Sequence, residues 1–296
     1  MNASMVYPLV ALSTLFWGGN FALAGPVLAD IPPLWAAALR FTLGTAVMLA
    51  LVAWRGEDLI APLRRHAKTY ALLGAVGIGG FNLLFFFALQ TTSAANGALI
   101  MATNPLVTTV LAALLLGETA SRRQLAALPL ALIGVVVVIS GGDLQRLLHL
   151  QVARGDVLMI GADVTWAFYN ILVRRYLPGG SAVTNTTLVM AAGMLLLLVV
   201  AMSSGEIVHI PSVKAGMSLA IMAVGGTVLA YLFWNMGIAR LGAGRTSLFL
   251  NLVPVFAMLV GALLGTIPTE IQVIGGLAVI SAVSIAMLPS RRLAMS

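Results

Sequence analysis

Long apolar runs, interrupted at regular intervals by short clusters of charge, glycine and proline, extend from one end of the chain to the other. Bounded in this way, the runs predict helices at Met5 to Leu28, Pro33 to Trp54, Thr69 to Leu89, Ala94 to Leu116 and Arg123 to Ser140. Five more are predicted at Gly155 to Arg174, Ala182 to Ser203, Lys214 to Ala239, Gly244 to Leu264 and Ile271 to Leu288. Each is near the roughly 20 apolar residues that cross a hydrocarbon core. The expected fold is therefore an all-α polytopic membrane protein with ten transmembrane helices. Met1 to Met5 carries no basic residue and the first apolar run is long, so it reads as a span rather than a secretory leader.

Composition strengthens this picture. Of 296 residues, 60% are hydrophobic and only 8% charged, against roughly a quarter charged in a soluble domain. Ten spans use about two thirds of the chain, which leaves connectors and no separate soluble domain. With no cysteine there is no disulfide, thiolate metal site or cysteine nucleophile. No cofactor or metal is expected.

The 16 lysines and arginines against 9 acids report topology rather than nucleic-acid binding. Arg55, Arg64, Arg65, Lys68, Arg122, Arg123, Arg174, Arg175, Arg240, Arg245, Arg291 and Arg292 fall on one side of the predicted bundle. Only Arg146, Arg154 and Lys214 fall on the other, and Arg40 lies within a span. Basic connectors mark the cytoplasmic side, so both termini are expected there, in a bacterial cytoplasmic membrane. Trp35 and Trp54 stand near opposite ends of the second span, at headgroup level. The outer connector places Leu144, Leu147 and Leu148 on one helical face, suited to lying along the membrane surface.

A shift of 149 residues superposes Trp17 on Trp166, Leu83 on Leu232, Leu99 on Leu248, Pro105 on Pro254 and Ala113-Leu114-Leu115 on Ala262-Leu263-Leu264. Leucine matches are cheap here, but the chain has only 5 Trp and 12 Pro. Five spans per copy is odd, so the second copy crosses the membrane upside down. Connector charge agrees: Gly117 to Arg123 is basic and its counterpart Gly265 to Glu270 is not, while neutral Thr91 to Ser93 corresponds to a connector with Arg240 and Arg245. The expected organisation is residues 1–140 as a first five-helix repeat, 141–154 as an external connector and 155–296 as a second, inverted repeat. Many secondary transporters are built this way, with a site near the midplane between repeats.

Several residues in order carry a family resemblance: Trp17-Gly18-Gly19-Asn20-Phe21, Arg40-Phe41, Pro105, Leu116-Gly117-Glu118 followed by Gln124, then Trp166 and Pro254. In these the chain resembles the ten-helix EamA-type exporters of the drug/metabolite transporter superfamily over nearly its whole length. The second copy departs from the pattern where Gly265-Thr266-Ile267 replaces Gly-Glu. The resemblance implies export of small organic molecules, with amino acids and amphipathic drugs the usual substrates of bacterial members.

Only Arg40 and Asp163 place a formal charge well inside a span, and intramembrane charges are functional suspects by default. Counted from the outer ends of their helices, both lie roughly 10 to 12 Å deep at 1.5 Å per residue. They are candidates for a structural ion pair, for proton coupling through Asp163, or for meeting the charged end of a substrate. Helical spacing puts Trp17 and Asn20 on one face, and Asp163, Trp166 and Asn170 on another. Asn82 and Phe86 in the third span and Tyr231 and Trp234, with Asn235, in the eighth complete a set suited to a cavity. Rings cover an apolar ligand and amides bond its polar end; packing and interhelical hydrogen bonds are the alternative use. Pro105 and Pro254 release the carbonyls of Met101 and Leu250 and predict matched bends, with Asn104, Thr108 and Asn251 near enough to satisfy freed groups. Such bends are hinges or fixed kinks. Gly77-Ile78-Gly79-Gly80 lacks the strand and Gly-Lys-Ser of a phosphate loop. Gly261 and Gly265, like Ala113 and Gly117, have the small-xxx-small spacing of close helix contact.

These features favour a secondary transporter exporting amino acids or similar amphipathic metabolites by alternating access. Its partners are a small-molecule substrate and membrane lipid, with no nucleic acid and no obligate protein partner. A lipid flippase would use a similar bundle. An intramembrane enzyme would need clustered ligands or a base beside a nucleophile, and the predicted spans hold one buried carboxylate and no histidine. No nucleotide motif supports direct use of ATP.

Overall fold

The computed structural model describes residues 3–92, 94–149, 153–207 and 209–288. Arg291, Arg292, Ser93 and residues 150–152 of the long connector lie outside the described residues. Among the described residues ten helices are long and apolar enough to span a membrane: Met5–Asp30, Pro33–Trp54, Ile60–Leu89, Asn96–Leu116, Arg122–Ser140, Arg154–Tyr176, Ala182–Ser203, Val213–Leu241, Ala243–Leu263 and Glu270–Met287. They are numbered span 1 to span 10 below. No strand occurs among the described residues.

Local chemistry explains where the spans begin and end. Span 5 opens on a capping box in which Ser121 accepts from the Gln124 N–H and Gln124 returns to the Ser121 N–H, and span 10 opens on the same box from Thr269 and Gln272. Gly117 closes span 4 and Gly141 closes span 5 in the left-handed conformation, at φ 67° and 65°, where a side chain would be strained.

Three spans depart from the periodicity reading. Span 3 begins at Ile60, nine residues before the predicted Thr69, because the segment bearing Arg64, Arg65 and Lys68 is itself helical. His66 kinks it at φ −128°, ψ 23°. Span 4 is broken, with helices Ala94–Met101 and Asn104–Leu116 separated at Ala102 and Thr103. In span 9 the turn Leu248–Asn251 tightens to a 3-10 helix before Leu252–Leu263. These two interruptions precede Pro105 and Pro254, where a missing N–H and the ring oppose a regular turn. Asn104 and Thr108 do not bond the freed carbonyls: Asn104 donates across to the Asp163 carbonyl at 2.8 Å, and Thr108 donates to Asn104 at 3.0 Å. The side-chain Oδ1 of Asn251 has no partner among the described residues.

In lipid, apolar burial does not itself drive helices together, and close approach depends on small residues. The close approaches are not at Gly117, Gly261 or Gly265, which face open space or ordinary contact. They occur at Gly18, 2.8 Å from Val253 O where a Cβ would stand, at Gly74, 2.6 Å from the Gly193 nitrogen, and at Gly134, 2.8 Å from Gly275 O. These join span 1 to 9, 3 to 7 and 5 to 10. Large apolar side chains such as Leu114, Ile133, Val199, Leu263 and Ile274 face outward, as lipid contact requires. Trp54 is 82% exposed, whereas Trp35 turns inward against the core. In the long connector a short helix forms at Leu144–Leu148, with Leu148 exposed.

Spans 3 and 8 each contain a π-helical segment, Ala75–Gly80 and Met222–Leu229. The glycine run set aside as a phosphate loop therefore widens a helix, and the 149-residue offset carries it onto the second segment. Two contact pairs obey the same offset. A Cβ on Gly77 would stand 2.0 Å from the Tyr169 ring, and one on Gly226 would stand 2.3 Å from the Asn20 amide. Likewise Gly193 meets Ile78 at 2.4 Å, and Gly44 meets Thr227 at 3.0 Å.

Candidate functional site

The rings predicted from spans 1, 6 and 8 converge at the centre. Trp17 lies 5.5 Å from Trp166, 6.0 Å from Tyr231 and 5.0 Å from Trp234, centroid to centroid. Trp166 lies 5.7 Å from Tyr231, edge to face, the arrangement that ring quadrupoles favour. Helix geometry brings them together because Trp17, Trp166 and the pair Tyr231 and Trp234 occupy the inward stripes of helices that all face the same point. The cluster also takes in Phe41 of span 2, 5.5 Å from Tyr231, Phe81 of span 3, 5.0 Å from Trp166, and Tyr169, 5.2 Å from Trp166. Sequence reasoning missed these three. Phe41 had a signal, as the neighbour of Arg40; Phe81 and Tyr169 became legible only with the packing. Phe86 is one ring removed, 5.8 Å from Phe85, which in turn contacts Phe81.

The amides divide by role. Asn82 is 2% exposed and accepts from Arg40 Nη2 at 3.1 Å while donating to the Ile78 carbonyl at 2.7 Å. Asn170 is fully buried, accepting from the Trp234 indole at 2.9 Å and donating to Thr108 at 3.4 Å. Both ends of its amide are committed to protein, so it braces Trp234. Asn20 sits against Gly226, and Asn235 accepts from the Tyr169 hydroxyl at 2.9 Å.

Arg40 and Asp163 form no ion pair with each other; side-chain ion pairs form elsewhere, as at Arg55–Glu57 and Arg174–Glu118. Arg40 reaches Asn82 with one nitrogen and lies 5.1 Å from the Phe41 centroid, and its Nε has no partner among the described residues. Asp163, 2% exposed, holds Oδ1 without a partner among them. Leaving a buried charged group short of hydrogen bonds is costly, so cationic and anionic valences both stand open beside the ring cluster.

Four carboxylates tie the two halves of the chain at the two ends of the bundle. On the face where the chain begins, Glu57 accepts from Ser181, from Thr184 at 2.7 Å and from Arg55 at 2.6 Å. Hydrogen bonding, chiefly from Ser181, pushes its carboxyl down to about 2. Glu118 accepts from Arg174 at 2.9 Å and from the Gly244 N–H at 3.4 Å. Its offset position is Ile267, so this tie has no twin. It borders a cavity of about 240 Å³ lined in part by Thr109, Ala112, Gln124, Arg240 and Arg245. On the opposite face Asp156 caps its own helix through the Ala153 N–H at 2.8 Å and accepts from Thr92 and Asn96, and Asp30 accepts from the Ser212 N–H at 2.8 Å. No three histidine, aspartate or glutamate side chains meet in a metal-binding group among the described residues.

The sequence profile of the EamA-like transporter family matches residues 4–140 and again residues 153–288. The chain is 38% identical over 277 residues to "Uncharacterized transporter YyaM" of Bacillus subtilis (strain 168), covering 93% of this chain and 91% of that one. It is 26% identical over 286 residues to the "Probable amino-acid metabolite efflux pump" of Salmonella typhimurium, covering 92% and 91%. A solved crystal structure superposes with a TM-score of 0.82 at 23% identity, over 99% of this chain and 100% of the other, which shows the fold. Two matches of one family profile, covering nearly all of a ten-helix membrane chain, establish its membership: the protein is a multi-pass membrane transporter of the EamA-like family, within the drug/metabolite transporter superfamily.

Proposed function

We propose that the protein exports small amphipathic metabolites, above all amino acids with aromatic or other hydrophobic side chains, across the bacterial cytoplasmic membrane by alternating access. Residues 1–140 and 155–296 are read as the inverted repeats, joined by 141–154, with both termini cytoplasmic. The observation that carries the reading is the pairing of a ring cluster with unmatched charge. Trp166, Tyr231 and Trp234 each lie within about 6 Å of Trp17, centroid to centroid, while Arg40 Nε and Asp163 Oδ1 lack partners among the described residues. Rings suit an apolar side chain, and a guanidinium and a carboxylate suit the two ends of a zwitterion. The Salmonella relative's name points the same way. The helix interruptions before Pro105 and Pro254 are natural places for the halves to flex.

Counterflow tests it. Proteoliposomes of the purified chain, preloaded with an unlabelled amino acid, are expected to accumulate the labelled compound saturably, with aromatic and branched members preferred over charged ones. Uptake equal to protein-free vesicles for every amino acid, from folded protein, would overturn the substrate assignment and direct attention to drugs or lipid.

A further inference from the structure

Trp17 donates its indole N–H to the Gly226 carbonyl at 2.9 Å. The 149-residue offset relates Trp17 to Trp166, Gly226 to Gly77 and Asn20 to Tyr169, and both glycines lie in the matching π segments of spans 8 and 3. In both copies the glycine is overlain by the residue three positions after the tryptophan, Asn20 in one case and Tyr169 in the other. The hydrogen bond alone is not repeated. Trp166 is 4% exposed, yet its Nε1 has no partner among the described residues, a costly condition for a buried donor.

Two copies of one local motif thus stand in different states within the same molecule. Exchanging those states between the copies generates a second arrangement of the bundle with the same kinds of contact. We propose that Trp17 and Trp166 are paired positioning residues for transport: in the opposite-facing state Trp166 Nε1 donates to the Gly77 carbonyl while Trp17 releases that of Gly226. The two rings already meet edge to face at 5.5 Å and 82°, so a movement of one is felt by the other across the centre of the bundle. The glycine at each acceptor is what lets the residue three after the tryptophan lie over the main chain beside the indole, since a Cβ there would overlap Asn20 in one copy and Tyr169 in the other. The inference rests on the alternating-access reading above.

The chain has no cysteine, so single thiols report cleanly. Ala120→Cys lines the cavity on the face where the chain begins and is partly exposed there, whereas Ala88→Cys is buried beneath the opposite seam, where a Cβ on Gly155 would stand 2.3 Å from the Ala88 carbonyl. Because the state with the Trp17 bond has a cavity on the first face, W17F is expected to slow maleimide labelling at 120 and speed it at 88, measured in nanodiscs. W166F does the reverse, each by about threefold to tenfold, the effect of one net hydrogen bond. The double variant returns close to the parent ratio. Trp35→Phe, which removes an indole N–H with no partner among the described residues and no tryptophan at its offset position, leaves the ratio unchanged. Should a phenylalanine variant not fold, benzothienylalanine at the same position removes only the donor and carries the same expectation. Single variants that shift labelling in the same direction, or not at all, overturn the exchange. A parent chain that never labels at one of the two positions, with any solute, overturns alternating access itself and the exchange with it.

Discussion

At position 40 a guanidinium sits among aromatic rings with one nitrogen on Asn82 and its Nε unmatched, which is the condition of a group awaiting an anionic partner. On the zwitterion reading, Arg40→Gln is expected to lower initial counterflow rates by about tenfold to a hundredfold, the range for a lost hydrogen bond to a charged group. Folded yield should be retained, because no carboxylate among the described residues pairs with Arg40. Equal rates in the variant and the parent would move the carboxylate site elsewhere. Glu57 behaves differently. Its carboxyl is depressed from 4.5 to about 2 by hydrogen bonds, Ser181 foremost, so its tie favours the folded chain fully above about pH 4.5 and loses that contribution as pH falls toward 2. The melting temperature of Glu57→Gln in detergent should therefore lie a constant interval below the parent between pH 5 and 8, and the two should converge in more acid solution. An interval that widens on acidification would contradict this. Of these two residues only Arg40 was legible in the sequence, since a charge inside an apolar run is visible at once. Glu57 sits in a connector like any solvated acid, and only packing brings Ser181 and Thr184 to it.

At the scale of elements the glycines separate into those that permit contact and those that permit a turn. Gly77→Ala forces a Cβ into the Tyr169 ring, and overpacking of this kind costs about 1–3 kcal/mol. A marked fall in thermal stability is expected, partly reversed by adding Tyr169→Ala. Gly117→Ala meets nothing but sits at φ 67°, so it should cost only the roughly 1–2 kcal/mol of a left-handed alanine, and no second substitution at a neighbour should relieve it. Gly261→Ala, with its nearest contact at 3.8 Å, should be close to neutral in a thermal shift assay. Small-xxx-small spacing singled out glycines that meet no other helix closely within this chain, because spacing records which residues share a face, and not whether a helix of the same bundle approaches that face. The 149-residue offset held the better signal, for it superposes Gly44 on Gly193 and Gly77 on Gly226, all four at close contacts. The helix breaks before Pro105 and Pro254 were legible for the same physical reason in both copies, the missing donor of proline. The π segments were not, because hydropathy does not distinguish a helix of wider turn.

At the scale of the molecule, topology and mechanism lead to one further expectation. Basic residues crowd the connectors of one face, so a phosphatase fused after the last span should be inactive and a fluorescent protein at the same place should be bright, both reporting a cytoplasmic terminus. An active phosphatase there would invert the proposed orientation and make the cavity beside Glu118 external.

Local patterns along the chain were enough to read the number of membrane spans, their approximate limits, the duplicated pattern, the tryptophans that meet at the centre and the charges held inside spans. Each of these follows from local properties: the length of an apolar run, the rarity of tryptophan and proline, the cost of charge in hydrocarbon. It took the packed bundle to show which glycines meet another helix, that Arg40 bonds Asn82 rather than Asp163, that Asn170 braces Trp234, and that the indole of Trp17 is satisfied while that of Trp166 has no partner among the described residues. Those outcomes depend on the distance and rotation between helices far apart in the chain, and no local pattern encodes them.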